Sequence, residues 1–186
     1  MRRSVSRRSI RIGVLVLAIL LITNVLVVLA VTEYDTPSCR WARQPDGTLS
    51  VSWNYGTYIQ SYPAWKTAFQ QSAADWDNAL TKLRLYYTSD AFITCNAYYE
   101  QSSAAGRGWV SCCSGSACAG YAEANVYSTG SYTTNMRRSL SGHELGHALA
   151  LGHIYEGPSL MGSNPDPETY YTPQSLDVQF FNQVYP

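Results

Sequence analysis

The chain has 186 residues, 46% of them hydrophobic and 14% charged, enough to bury one ordinary core and too few for two comfortable domains. Formal net charge is zero, yet five of the thirteen basic residues are arginines within the first eleven positions. Beyond residue 30, thirteen acidic residues face eight basic ones, a net of −5, so no basic stripe is left to hold a nucleic acid.

Arg2, Arg3, Arg7, Arg8 and Arg11 precede an apolar run from Ile12 to Val31. A basic flank stays on the cytoplasmic side while the chain that follows is carried across. Residues 1–30 therefore read as a signal peptide or an N-terminal membrane anchor. The run is long enough to span a bilayer, and Val28 and Ala30 offer small residues at a cleavage point. Both readings put residues 31–186 outside the cytoplasm, with the membrane touched only through the N-terminal segment if it is uncleaved. Cys39, Cys95, Cys112, Cys113 and Cys118 all fall in that exported part. This suits an oxidising compartment, and two disulfides with one cysteine left over is the simplest count.

After a polar lead-in, Leu49 to Tyr55 has strand composition and stops at Gly56. From Tyr62 to Leu83, the residues Trp65, Phe69, Ala73, Trp76, Leu80 and Leu83 recur at spacings of three and four, the stripe of an amphipathic helix that faces a core. The runs LRLYYT, NAYYE, GWVSCC and YAEANVYS, parted by Gly, Ser and Asn, predict three or four further strands. If Gly108 to Cys113 is a strand, Cys112 and Cys113 point to opposite faces and take different partners. One reaches Cys118 across the short SGSA turn, the other Cys95 or Cys39. A second helix is predicted from Asn135 as cap to Gly152 as stop, and a third from Thr172 as cap and Pro173 in the first turn. The order strand, helix, strands, helix, loop, helix gives an α+β domain whose sheet is backed by two helices.

All three histidines of the chain lie in the segment HELGHALALGH, residues 143–153. On a helix His143 and His147 are one turn apart on one face, so two imidazoles can meet one metal ion. Glu144 stands beside the first, placed to act on water without ligating. His153 follows Gly152, which can turn the chain back. Three histidines suit Zn²⁺ with a fourth position kept for water, whose pKa the ion lowers to about 7. The predicted metal ligands are His143, His147 and His153, and the predicted general base is Glu144.

This segment resembles the metzincin zinc peptidases, whose extended motif is HExxHxxGxxH followed by a turn containing methionine. The pair Leu160-Met161, with Met161 eight residues past His153, is similar to the matrixin branch, as is the closing TPQSLDVQFFNQVYP. The resemblance is detailed from Ser139 to Pro186 and topological from Leu49 to Ser128. It implies a zincin-like fold with a twisted, mostly parallel five-stranded mixed sheet, two long helices and a C-terminal helix. It also implies a zinc endopeptidase, a monomer, whose sheet edge binds a protein or peptide substrate in extended conformation. Met161 is then an apolar floor beneath the metal. Structural Ca²⁺ is a further expectation of the family, but Glu123 is the only acidic residue between Gly106 and Gly130 and marks no site.

The chain departs from that pattern in places. Ala150 stands at the motif's glycine, a position where positive φ is resisted, so Gly152 is expected to take over the turn. Ser163 stands where a related branch carries a ligating tyrosine, and GSNPDPETYY replaces the usual Pro-x-Tyr. Pro37-Ser38-Cys39 resembles a latency switch with the wrong spacing, and a disulfide at Cys39 is the better reading. The alternatives to a peptidase are a zinc-bearing extracellular binding or adhesion module, for which Glu144 is not needed, a zinc hydrolase of another bond such as an ester, and a purely structural exported domain that binds no metal.

Overall fold

The computed structural model describes residues 34–35 and 38–186, so the apolar run read as a signal or anchor lies outside the described residues. Among those described, no helix is long and apolar enough to cross a membrane.

The strands are β1 (Leu49–Tyr55), β2 (Leu83–Tyr87), β3 (Ile93–Tyr98), β4 (Gly106–Cys113) and β5 (Ser116–Asn125). They form one sheet in the order β2-β1-β3-β5-β4, parallel throughout except for β4, which runs antiparallel to β5 at the edge. Alternation explains the inward face. On β3 Ile93, Cys95 and Ala97 are buried while the residues between them are partly exposed, a period of two. Helix α1 (Pro63–Ala79) lays Trp65, Phe69, Ala73 and Trp76 into the core. It ends earlier than its apolar stripe suggests. Leu80 is extended at the helix end and Leu83 opens β2, yet both stay buried, so core burial carried the apolar pattern past the last helical turn.

Helix α2 (Thr134–Ala148) is capped by the Thr133 hydroxyl, which accepts from the Met136 amide at 3.2 Å, two residues before the predicted Asn135 cap. Helix α3 (Ser175–Val184) starts after a capping box of Gln174 and Asp177, not at Thr172 and Pro173. Trp76 Nε1 donates to the Gly142 carbonyl at 2.9 Å, and Trp41 Nε1 donates to that of Ala148 at 2.9 Å. Tyr185 donates its hydroxyl to the Leu149 carbonyl at 2.8 Å, so two carbonyls left over at the end of α2, those of Ala148 and Leu149, are satisfied by aromatic side chains from distant segments.

Cys113 pairs with Cys118 across the β4–β5 turn, and Cys112 pairs with Cys39, fastening the lead-in to β4. Cys95, the cysteine left over, is buried on β3, where loss of solvent pushes its thiol pKa up.

Candidate metal and active site

Helix α2 carries His143 and His147 one turn apart, their Nε2 atoms 3.2 Å from each other. The loop after the helix brings the His153 ring to 5.3 Å from that of His143 and 4.7 Å from that of His147, centroid to centroid. The ligand atoms of the three lie within 4.8 Å of one another, and among the described residues they are the one such group able to hold a metal ion. Two nitrogens each about 2.0–2.1 Å from a tetrahedral zinc ion stand about 3.3 Å apart, so the helical pair fits that ion.

The ring tautomers follow from the partners. His143 Nδ1 lies 2.7 Å from the Leu160 carbonyl and His147 Nδ1 lies 2.8 Å from that of Leu151. A carbonyl only accepts, so each Nδ1 donates and each Nε2 keeps its lone pair for a metal. Burial drives the His143 pKa down to about 4, and burial followed by the neighbouring His143 drives His147 down to about 3. Both rings are therefore neutral at ordinary pH, the form a metal requires.

Glu144 is 6% exposed, and burial pushes its carboxyl up to about 8. The sequence folds this way because β4 crosses α2 through two glycines. A Cβ on Gly106 would come 2.7 Å from Glu144 Oε1, and one on Gly108 would come 2.3 Å from the Glu144 carbonyl and 2.8 Å from His147 Cβ. Beside Glu144 a cavity of about 280 Å³ is lined by Ala105, Tyr132, Leu140, His143, Ser163 and Pro165. Past His147 a second hollow of about 190 Å³ is lined by Gly108, Trp109, Val110 and Ala150. Both hollows border β4.

Met161 is fully buried under α2, and a Cβ on Gly146 would lie 2.2 Å from its sulfur, so the glycine between the two helical histidines makes room for it. The turn carrying Met161 hangs on a residue that the sequence reading missed. The buried Asp177 carboxylate accepts from Ser159 Oγ at 2.6 Å, Leu160 N at 2.8 Å, Met161 N at 2.9 Å and Gln174 N at 2.7 Å. The only signal for it was an acidic residue three places past a possible cap.

Ala150 itself adopts positive φ, at 63°, so the turn is not handed to Gly152. Ala150 N bonds the His147 carbonyl at 2.9 Å and Leu151 N bonds that of Gly146 at 3.0 Å, the paired bonds of a Schellman turn. Gly152 serves close approach instead, since a Cβ there would lie 2.3 Å from the Asp35 carbonyl oxygen. Cys39 is held in its disulfide and offers no thiolate to the site. Glu123 is bonded by Arg107 at 2.7 Å, and no calcium site is located among the described residues.

No family model and no curated protein matches the chain. Among solved structures it is similar to high choriolytic enzyme 1, a hatching enzyme zinc-protease from Oryzias latipes (medaka fish). The TM-score is 0.53 at 12% identity, covering 84% of this chain and 98% of the other. That likeness is one of fold: the α+β architecture with its five-stranded mixed sheet is shared with a zinc protease.

Proposed function

We propose that the chain is a zinc-dependent endopeptidase of the metzincin kind, matrixin-like in its Leu160-Met161 turn, acting outside the cytoplasm. The observation that carries this is the convergence of three histidines, two with Nδ1 tied to carbonyls, beside a buried carboxyl at the edge of a sheet. His143, His147 and His153 would hold the ion. Bound there, zinc supplies Lewis-acid chemistry, acidifying a water and polarising a carbonyl. Glu144 accepts the proton of the attacking water and later gives it to the leaving amine; burial raises its carboxyl above the ordinary carboxylate value, which makes it a stronger base for that proton. A substrate chain in extended form would pair with the outer edge of β4, its side chains entering the two hollows on either side of the histidines. Two disulfides fit secretion, or tethering by the N-terminal segment with the domain outside.

The test is cleavage of an unfolded protein by the purified full chain, with and without a zinc chelator, beside Glu144→Ala. Chelator-sensitive cleavage is expected, and the variant should hold zinc but lose about 10²–10⁴-fold in rate. Zinc bound without cleavage by the unaltered chain would favour a binding module, and cleavage of esters alone would favour an esterase.

A further inference from the structure

The segment that follows the apolar run contributes to the metal site. His143 and His147 turn Nδ1 to main-chain carbonyls, so the fold itself sets their rings. For His153 the partner of Nδ1 is a side chain from the far end of the sequence, Asp35, whose Oδ2 lies 3.2 Å away across 118 residues. We propose that Asp35 is a positioning residue for His153, holding its imidazole so that Nε2 faces the other two histidines. The inference rests on the reading of the three histidines as zinc ligands.

Several contacts converge on this placement. His153 N donates to Asp35 Oδ2 at 3.3 Å, and Asp35 N donates to the His153 carbonyl at 3.0 Å. Tyr34 bridges Ile154 in antiparallel fashion and sets its ring 4.6 Å from that of Phe180. The Tyr155 hydroxyl donates to the Asp35 carboxylate, at 3.0 Å from Oδ1 and 2.9 Å from Oδ2. Gly152 leaves the space in which the Asp35 backbone lies. Tyr34 and Asp35 on one side, and Gly152 to Tyr155 on the other, thus meet through a single antiparallel bridge and the bonds of Asp35.

The chemistry follows from the acceptor. A carboxylate oxygen only accepts, so Nδ1 of His153 donates and Nε2 carries the free lone pair. A carboxylate behind a metal-bound imidazole fixes its tautomer and orientation and raises its basicity. The side chains of His153 and Asp35 are 35% and 50% exposed, so as an ion pair they add little to stability. The effect of Asp35 is on metal affinity. Asp35 lies four residues past Val31, so processing near Ala30 keeps this strap and trimming beyond Asp35 removes it.

The test measures zinc affinity of the full chain by competition with a fluorescent chelator, with the visible spectrum of the Co²⁺-substituted protein. The variants are Asp35→Ala, Asp35→Asn and Tyr155→Phe. Asp35→Ala should weaken zinc binding about 10–100-fold and alter the Co²⁺ absorption, with metal-free unfolding unchanged. Asp35→Asn, which keeps an acceptor oxygen, should restore part of the affinity, and Tyr155→Phe should lose less than Asp35→Ala. Unaltered zinc affinity and Co²⁺ spectrum in the Asp35 variants would overturn the proposal, as would a lowered metal-free melting temperature with affinity intact. Should Asp35→Ala fail to fold, Asp35→Asn decides by the same readout. Failure of the unaltered chain to bind zinc would instead strike the metal reading itself.

Discussion

The two ends of the histidine motif are built differently. The helical end, His143 and His147, is partly buried, its rings steered by backbone carbonyls of Leu160 and Leu151, its floor set by the buried Met161. The loop end, His153, is partly exposed and steered by the Asp35 side chain. The first half inherits its geometry from the core. The second depends on the exposed Asp35 side chain, which can be altered without touching the core and is therefore the natural place to tune metal affinity.

The largest expected effect separates the halves through the metal-free fold. Zinc binding energies of about 10–16 kcal/mol spread over three histidines make each worth about 3–5 kcal/mol, so removing any one should weaken zinc by about 10²–10⁴-fold. His147→Ala should also destabilise the metal-free protein by about 1–3 kcal/mol, because it removes a side chain that backs onto Gly108 of β4 and leaves the Leu151 carbonyl without its partner, whereas His153→Ala should leave it near unchanged. Chelator competition and chemical denaturation read both, and equal destabilisation by the two variants would erase the distinction. Next, Asp177→Asn should cost about 3 kcal/mol, since an amide offers one acceptor oxygen where the carboxylate takes four donors. If that variant melts normally, the helical half does not depend on the Met161 turn.

The helical half should also carry the pH dependence. His143 and His147 have folded pKa values of about 4 and about 3, below their ordinary 6.5, so the unfolded chain takes up protons first and metal-free stability falls as pH drops below 6.5. Glu144 works in the other direction. Its folded value of about 8 lies above the ordinary 4.5, so the folded state keeps a proton the unfolded chain has lost, and stability falls as pH rises toward 8. At about 1.4 kcal/mol per unit, the metal-free protein should lose about 2 kcal/mol between pH 6.5 and 8. Glu144→Gln should abolish that alkaline decline and leave the acid one. Denaturant melts at the two pH values check it, and a decline that survives in Glu144→Gln would assign it elsewhere.

What was legible in the sequence was what local geometry determines. The spacing of His143 and His147 needs only a helix turn, and the alternation on β3 needs only a strand. Helix boundaries were less legible: Thr133 and Asn135 are both good caps, and the choice between them depends on where the chain enters from β5. Asp35 was missed because its partner lies 118 residues away and a lone aspartate in a polar stretch carries no pattern; for Asp177 the spacing from Gln174 marks a cap but says nothing of the partners 16–18 residues upstream. The cysteine pairing was narrowed by strand alternation and decided by tertiary proximity, which put Cys39 beside β4 and Cys95 in the core.

The junction between the halves offers the smallest effect and the sharpest comparison. The Schellman turn at Leu149–Leu151 passes the chain from the helix to the His153 loop, and its left-handed residue is Ala150, 2% exposed at φ 63°. An L-residue there costs about 1–2 kcal/mol that glycine does not, offset in part by glycine's freedom in the unfolded chain and by the buried methyl it lacks. Ala150→Gly should therefore stabilise the protein by about 0.5–1 kcal/mol in denaturant melts. If zinc affinity stays constant, the strain is local and Asp35 alone positions His153. If affinity falls as stability rises, the methyl of Ala150 is part of what holds the loop, and the loop half is then fixed from both of its ends.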